Sequence, residues 1–196
     1  MTSAQDPDKE LVQRVQNGDR PAFNLLVLKY RNRVMGIAAR MLGDRGEAEE
    51  LAQDVFVKVY RALGDFQGAA LFSTWLFRVT ANSCLNHRRK RRAELRILDG
   101  AGDAALAVAH PSSNPHQLLE QKELGIALEK SIQSLPEEQR VVLILRDVEG
   151  LSYEEIADSL ELELGTVRSR LHRARLQVQA GIREKFSLDG RRSERL

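Results

Sequence analysis

Between Phe23 and Met41 the apolar residues fall at positions 23, 26, 27, 30, 34, 37, 38 and 41. Steps of three and four, with occasional adjacent pairs, form one stripe on an α-helix. The same spacing recurs at Leu51, Val55, Val59 and Ala62, and no convincing strand alternation appears along the chain. Punctuation separates the helical stretches. In "NGD" (Asn17–Asp19) Gly18 can close one helix and Asp19 can cap the next, with Pro21 in its first turn. "LGDRGEAEE" breaks the pattern around Gly43; "GDFQGAALFS" reads as a loop, with Ser73 able to cap the helix "TWLFRVTANSCLNHRRKRR". From Asp99 to Pro115 glycine, alanine, serine and proline replace the stripe, the composition of a linker. Helical pattern resumes at Gln117 and lasts to about Phe186. The expected fold is all-α: two small helical domains, residues 1–95 and 117–186, joined by a flexible linker (96–116) and followed by a frayed tail (187–196).

Charge is distributed unevenly although the formal net charge is only +2. Basic residues crowd into "HRRKRR" (His87–Arg92), "VRSRLHRAR" (Val167–Arg175) and the tail, and carboxylates gather in "GEAEE" and "YEEIADSLELE". That asymmetry predicts a polyanion on one face and a protein partner on another. The single cysteine, Cys84, excludes an intrachain disulfide and fits a reducing compartment. It adjoins a basic run, and a buried or neutral thiol is expected. The polar start "MTSAQDPDKELVQ" is unlike a signal peptide, and no apolar run approaches membrane-spanning length. A cytoplasmic protein without direct membrane insertion is expected. His87, His110, His116 and His172 lack metal-ligand spacing, and there is neither a phosphate-cradling glycine loop nor a nucleophile constellation. No cofactor and no catalytic site are expected.

The stretch "GLSYEEIADSLELELGTVRSRLHRARLQV" (Gly150–Val178) is the most informative. Ser152 and Glu155 match the capping box S-x-x-E. Ile156, Ala157 and Leu160 give the first helix a small and apolar face. Val167, Leu171, Ala174 and Val178 lie within about 60° of arc on the second. This is the pattern of a helix-turn-helix. With Val167 and Leu171 inward, Arg168, Ser169 and His172 face outward, flanked by Arg173. Such a stripe suits the major groove, because arginine binds guanine edges bidentately and serine bonds to several bases. Upstream, "SLPEEQRVVLILRDVEG" places Pro136 and two glutamates at a helix start and Gly150 after its end, with Val142, Leu145 and Val148 available to pack beneath the motif.

These residues resemble the extracytoplasmic-function sigma factors, in particular the sigma-E-like branch. "LPEEQRVVLILRDVEGLSYEEIADSLELELGTVRSRLHRAR" is similar to sigma region four. "NGDRPAFNLLVLKYRNRV", "AEELAQDVFVKVYRAL" and "FSTWLFRVTANSCLNHRRKRR" are similar to region two. The resemblance implies a protein that binds core RNA polymerase and directs it to promoter DNA. It implies that Gln53 and Asp54 meet the polymerase clamp, where a carboxylate can pair with arginine. It places the loop Gln67–Ser73, with Gln67 and Phe72, and Asn82 at the capture of a flipped non-template base of the −10 element, whose Watson–Crick edge an amide can match. Phe77, on a different face from Phe72, Leu76 and Val79, is expected at exposed bases or on a neighbouring helix, and Trp75 in the core. Arg88, Arg89 and Arg91 of the basic run would track phosphates near that element. Arg168, Ser169, His172 and Arg173 fall on the positions that read the −35 element. Glu163, near the start of that helix, is a weaker cap than serine but carries a charge suited to a helix N-terminus. The resemblance also implies an anti-sigma factor, of the membrane-anchored kind, covering both units.

A linker of about 20 residues at about 3.4 Å each reaches nearly 70 Å. That is about two turns of duplex at about 34 Å each, enough for separate promoter elements to be held. Two other functions fit a helical, DNA-directed chain. A repressor or activator would bind operators without polymerase. A nucleic-acid enzyme would cluster carboxylates in a cleft, whereas the carboxylates here lie in surface stripes.

Overall fold

The computed structural model describes residues 6–99 and 117–193. Among them are eight α-helices and no strand. The all-α expectation is met, and two compact units are present, one holding α1 to α4 and the other α5, α6, most of α7 and α8. Residues 100–116, most of the expected linker, and with them His110 and His116, lie outside the described residues.

The first unit comprises α1 (Lys9–Gln16), α2 (Arg20–Leu42), α3 (Arg45–Ala62), a 3-10 turn at Leu63–Asp65, and α4 (Phe72–Asp99). Its boundaries have local causes. Gly18 takes a φ of +92° after α1. Asp19 accepts a hydrogen bond from the Ala22 N–H at 3.2 Å, with Pro21 in the first turn of α2. Gly43 closes α2 in the left-handed conformation (φ 79°), which glycine adopts without a Cβ penalty. Asp44 then caps α3, accepting from the Glu47 N–H at 2.8 Å. The α2 stripe is the centre of the core: Leu26, Tyr30, Val34, Ile37, Ala38 and Met41 are all buried, and α2 packs on α1, α3 and α4. Each large apolar side chain so removed from water contributes about 1.5–3 kcal/mol.

A charged residue also sits in this core. Asp8, which precedes α1, is fully buried. Its carboxylate does not cap its own helix; it accepts from the Tyr30 hydroxyl and from Lys29 Nζ, both on α2. A buried carboxylate is tolerated only when its lone pairs are satisfied in this way.

The second unit comprises α5 (Gln117–Gln133), α6 (Glu137–Leu143) running into a π-helical turn at Ile144–Val148, α7 (Tyr153–Leu160) and α8 (Leu164–Ser193). Both halves of the predicted capping box form: the Glu155 N–H donates to Ser152 Oγ at 3.0 Å, and the Ser152 N–H donates to Glu155 Oε2 at 2.8 Å. After α7, Glu161 is left-handed (φ 54°) and the Leu162 N–H reaches back to the Ala157 carbonyl at 2.9 Å. That is a Schellman closure with glutamate where glycine is usual. The Glu163 carbonyl accepts from Thr166 and Val167, so Glu163 opens α8 through its backbone. Arg140, buried, donates to the carbonyls of Gln133 and Leu135 at the end of α5. Gly181 lets α8 approach α5 closely, since a Cβ there would stand 2.7 Å from Ser131 Oγ. α8 continues to Ser193, into the stretch read as a tail, and α4 continues to Asp99, past position 95.

The Tyr30 phenol is pushed above its ordinary pKa, first by burial and then by its hydrogen bond to the Asp8 carboxylate. A raised value in the folded state means that folding favours the protonated form. The stabilisation is therefore intact below about pH 10 and is lost progressively above it. In thermal unfolding between pH 8 and 11, the native chain should lose stability steeply above pH 10. Tyr30→Phe, measured relative to its own value at pH 8, should show a shallower loss; equal slopes would contradict this account.

Candidate nucleic-acid interface

The inner face of α8 is Val167, Leu171, Ala174 and Val178, all buried. That fixes the helix about its axis. Arg168, Ser169, His172 and Arg173 are all exposed on the other side. Ser169 is preset: its hydroxyl donates to the Thr166 carbonyl at 3.0 Å and accepts from Arg173 Nη2 at 3.3 Å. Arg173 Nε donates to the Ser169 carbonyl at 3.2 Å. The remaining arginines of the run do different work. Arg170 pairs with Glu138 of α6 at 2.8 Å, and Arg175 makes a two-point pair with Asp147 at 2.9 and 2.5 Å. These hold α8 against α6 and the π-helical turn that follows it, while the arginines at 168 and 173 are presented outward. Such a surface can accept base edges and phosphates.

In the first unit the loop between the 3-10 turn and α4 is exposed at Gln67, Gly68, Ala69 and Ala70, and Gly68 takes a φ of +72°. Beneath it lies an aromatic cluster. Phe66 packs on Trp75 (centroids 5.1 Å) and on Phe72 (6.2 Å), and Tyr30 meets Phe72 and Phe77 edge-on at 5.6 and 6.0 Å. Trp75, expected in the core, is half-buried in this cluster. Asn82 is exposed on α4, and Arg78, Asn86 and Arg89 are exposed along the same helix at steps of three and four. Arg78 and Asn86 were not singled out from the sequence, although their spacing from Asn82 is the signal that finds them.

Three expectations need correction, at Phe72, Arg88 and Arg91, and Phe77 takes the second of its two expected places, on a neighbouring helix. Phe72 and Phe77 are each only 1% exposed, so neither ring offers a face to a base. The Phe77 face is covered by the Arg33 guanidinium, 4.4 Å from the ring centroid. Phe72 packs on Phe66 at the start of the loop, and Phe77 packs on α2. Arg88, half-buried, donates to the Met41 carbonyl at 2.8 Å and so closes the C-terminal end of α2. Arg91 pairs with Glu47 in the first turn of α3, which also faces His87 at 3.4 Å. These two arginines tie α4 to the α2–α3 junction. Arg89, Lys90 and Arg92 are exposed, with Lys90 3.8 Å from Glu94.

On α3, Gln53 and Asp54 are both exposed, with the exposed Val57 one turn on. They present a carboxylate and an amide beside an apolar side chain. Cys84 is fully buried. Among the described residues, no three potential ligands from histidine, cysteine, aspartate and glutamate come together as a metal would need. None of the described helices is long and apolar enough to cross a membrane.

Comparison with known proteins matches this geometry to one class. The sigma-70 region 2 family model matches residues 26–94, and the sigma-70 region 4 family model matches residues 126–178. The RNA polymerase sigma-H factor of Pseudomonas aeruginosa is 41% identical over 186 residues, covering 91% of this chain and 95% of that one. The ECF RNA polymerase sigma-E factor of Escherichia coli is 39% identical over 178 residues, covering 88% and 93%. Among solved structures, the sigma factor RpoE in complex with the anti-sigma factor NepR from Bartonella quintana superposes with a TM-score of 0.68. Its identity is 25%, covering 82% of this chain and 96% of that one. CnrH in complex with the cytosolic domain of CnrY gives 0.62, also at 25% identity, covering 88% and 95%. The chain belongs to the sigma-70 family of RNA polymerase sigma factors, in its extracytoplasmic-function group.

The division of labour within "HRRKRR" has a measurable consequence. Arg88→Ala should destabilise the first unit by about 1–3 kcal/mol, because it removes a charged hydrogen bond at the end of α2. Arg89→Ala should change stability by less than about 0.5 kcal/mol. Urea unfolding of both variants checks this; similar losses for both would refute it.

Proposed function

We propose that this chain works as an alternative sigma factor: it binds core RNA polymerase, carries it to promoters with −35 and −10 elements, and helps to separate the strands at the −10 element. The observation that carries this reading is the outward row Arg168, Ser169, His172 and Arg173 on a capped helix-turn-helix. Arginine and serine there read −35 base edges from the major groove. Residues 1–95 act as region two, 96–116 as the linker, 117–186 as region four, and 187–196 as a terminal extension. In region two, Gln67 and Asn82 receive a flipped −10 base, Arg89 tracks its phosphates, and Phe72 and Phe77 act only from beneath. Gln53 and Asp54 dock on the polymerase clamp. The chain is not an enzyme; the polymerase supplies the chemistry.

Regulation follows from the company that its structural relatives keep. RpoE is solved with the anti-sigma factor NepR, and CnrH with the cytosolic domain of CnrY. An inhibitor of that kind, membrane-anchored and covering both units, holds this protein inactive in the cytoplasm until a signal releases it.

Reconstitution tests the reading. Purified chain mixed with core polymerase should initiate at specific promoters, and neither component should do so alone. Arg168→Ala should lower output from a −35-dependent promoter by about 5- to 100-fold, the equivalent of about 1–3 kcal/mol for one bidentate base contact. Polymerase affinity should stay within about twofold. Unchanged output would remove Arg168 from the reading set, and failure of the wild-type chain to associate with polymerase would remove the function.

A further inference from the structure

Residues 6–25 lie ahead of the stretch that matches region 2, yet they hold the −10 loop at both ends. Gln16 is the last residue of α1. Its Nε2 donates to the Leu63 carbonyl at 3.0 Å and to the Phe66 carbonyl at 2.9 Å, so both amide hydrogens are directed at the entry to the loop. At the exit, the Phe72 N–H begins α4, where backbone donors have no partner within the helix. It donates to Asp6 Oδ2 at 2.8 Å. The other Asp6 oxygen accepts from the Asp8 N–H at 2.9 Å, which closes the turn before α1. Asp8 in its turn is fastened to α2 through Tyr30 and Lys29. Residues 67–71 are thus suspended between two fixed points, both supplied by a segment 47 to 66 residues away along the chain.

We propose that α1 and the turn before it are the positioning element of the −10 loop, with Gln16 and Asp6 as the positioning residues. The inference rests on the reading of Gln67–Ser73 as the receptor for a flipped base. Extracting a base from the stack is unfavourable, and a receptor that had to order itself at the same moment would offset less of that loss. Anchoring both ends in advance keeps the receptor preorganised, and its effect falls on discrimination between bases. Neither anchor touches DNA in this account.

The test uses the full chain with core polymerase on a promoter that the wild type opens. Gln16→Glu presents a carboxylate to two carbonyls; Asp6→Ala removes the exit anchor. Open-complex formation, read by permanganate reactivity of −10 thymines, is compared between the native non-template base and a substituted one. The native-to-substituted ratio should fall at least fivefold in each variant, with polymerase affinity within twofold of wild type. A purely structural role would lower unfolding temperature and polymerase affinity while leaving the ratio of the folded fraction unchanged. Gln16 is exposed, so Gln16→Glu should fold even if Asp6→Ala does not. A wild-type ratio in Gln16→Glu overturns the proposal. If Asn82→Ala abolishes discrimination while Gln16→Glu leaves it intact, the base-receptor reading stands and this inference alone fails. If the wild type itself shows no base preference, both fail.

Discussion

Val167, Leu171, Ala174 and Val178 are taken out of water on the inner face of α8. A helix has one rotational freedom about its axis, and burying four residues within about 60° of arc removes it. Every functional assignment on that helix depends on this. A rotation of one residue position, about 100°, would turn part of the outward row toward the core, Arg168 and His172 in one sense or Arg173 in the other. Two further constraints secure the same setting: the capping box fixes where α7 starts, and the left-handed Glu161 fixes how the chain leaves it.

The basic residues separate into two populations that composition cannot tell apart. One population neutralises the protein's own structure: Arg88 at the end of α2, Arg91 on Glu47, Arg140 at the end of α5, and Arg170 and Arg175 on α6 and the turn after it. The other, with Arg89, Arg168 and Arg173, is held at the surface. A charge run in a sequence therefore overstates the cation available to DNA. Salt dependence of DNA binding counts only cations that meet phosphate, not every cation of a basic run.

The parts legible in the sequence were those whose causes are local. Helical stripes, the Asp19 cap, the break at Gly43, the Ser152–Glu155 box and the outward set on α8 all depend on residues within a few positions of one another. What escaped reading was long-range. The sequence leaves Phe77 open between exposed bases and a neighbouring helix, because only distant residues decide it: Tyr30 and Arg33 of α2 close over it. Arg88 and Arg91 read as phosphate-tracking cations because their partners, Met41 and Glu47, lie 47 and 44 residues upstream. Asp6, Asp8 and Gln16 drew no notice at all, since a polar N-terminal segment has no local mark of the backbone groups it will satisfy. Buried polar atoms must find partners, but the sequence does not say which.

α8 is a single helix from Leu164 to Ser193, and Gly181 sits on it thirteen residues beyond Arg168. At about 1.5 Å per residue that separation is about 20 Å of stiff rod. The glycine lets α8 seat against Ser131 of α5 with no side chain between them. The seat therefore acts as a fulcrum. Wedging the two helices apart by an ångström at that point would swing the far tip by a comparable amount, enough to misalign a guanidinium with a base edge without touching a single residue of the reading row.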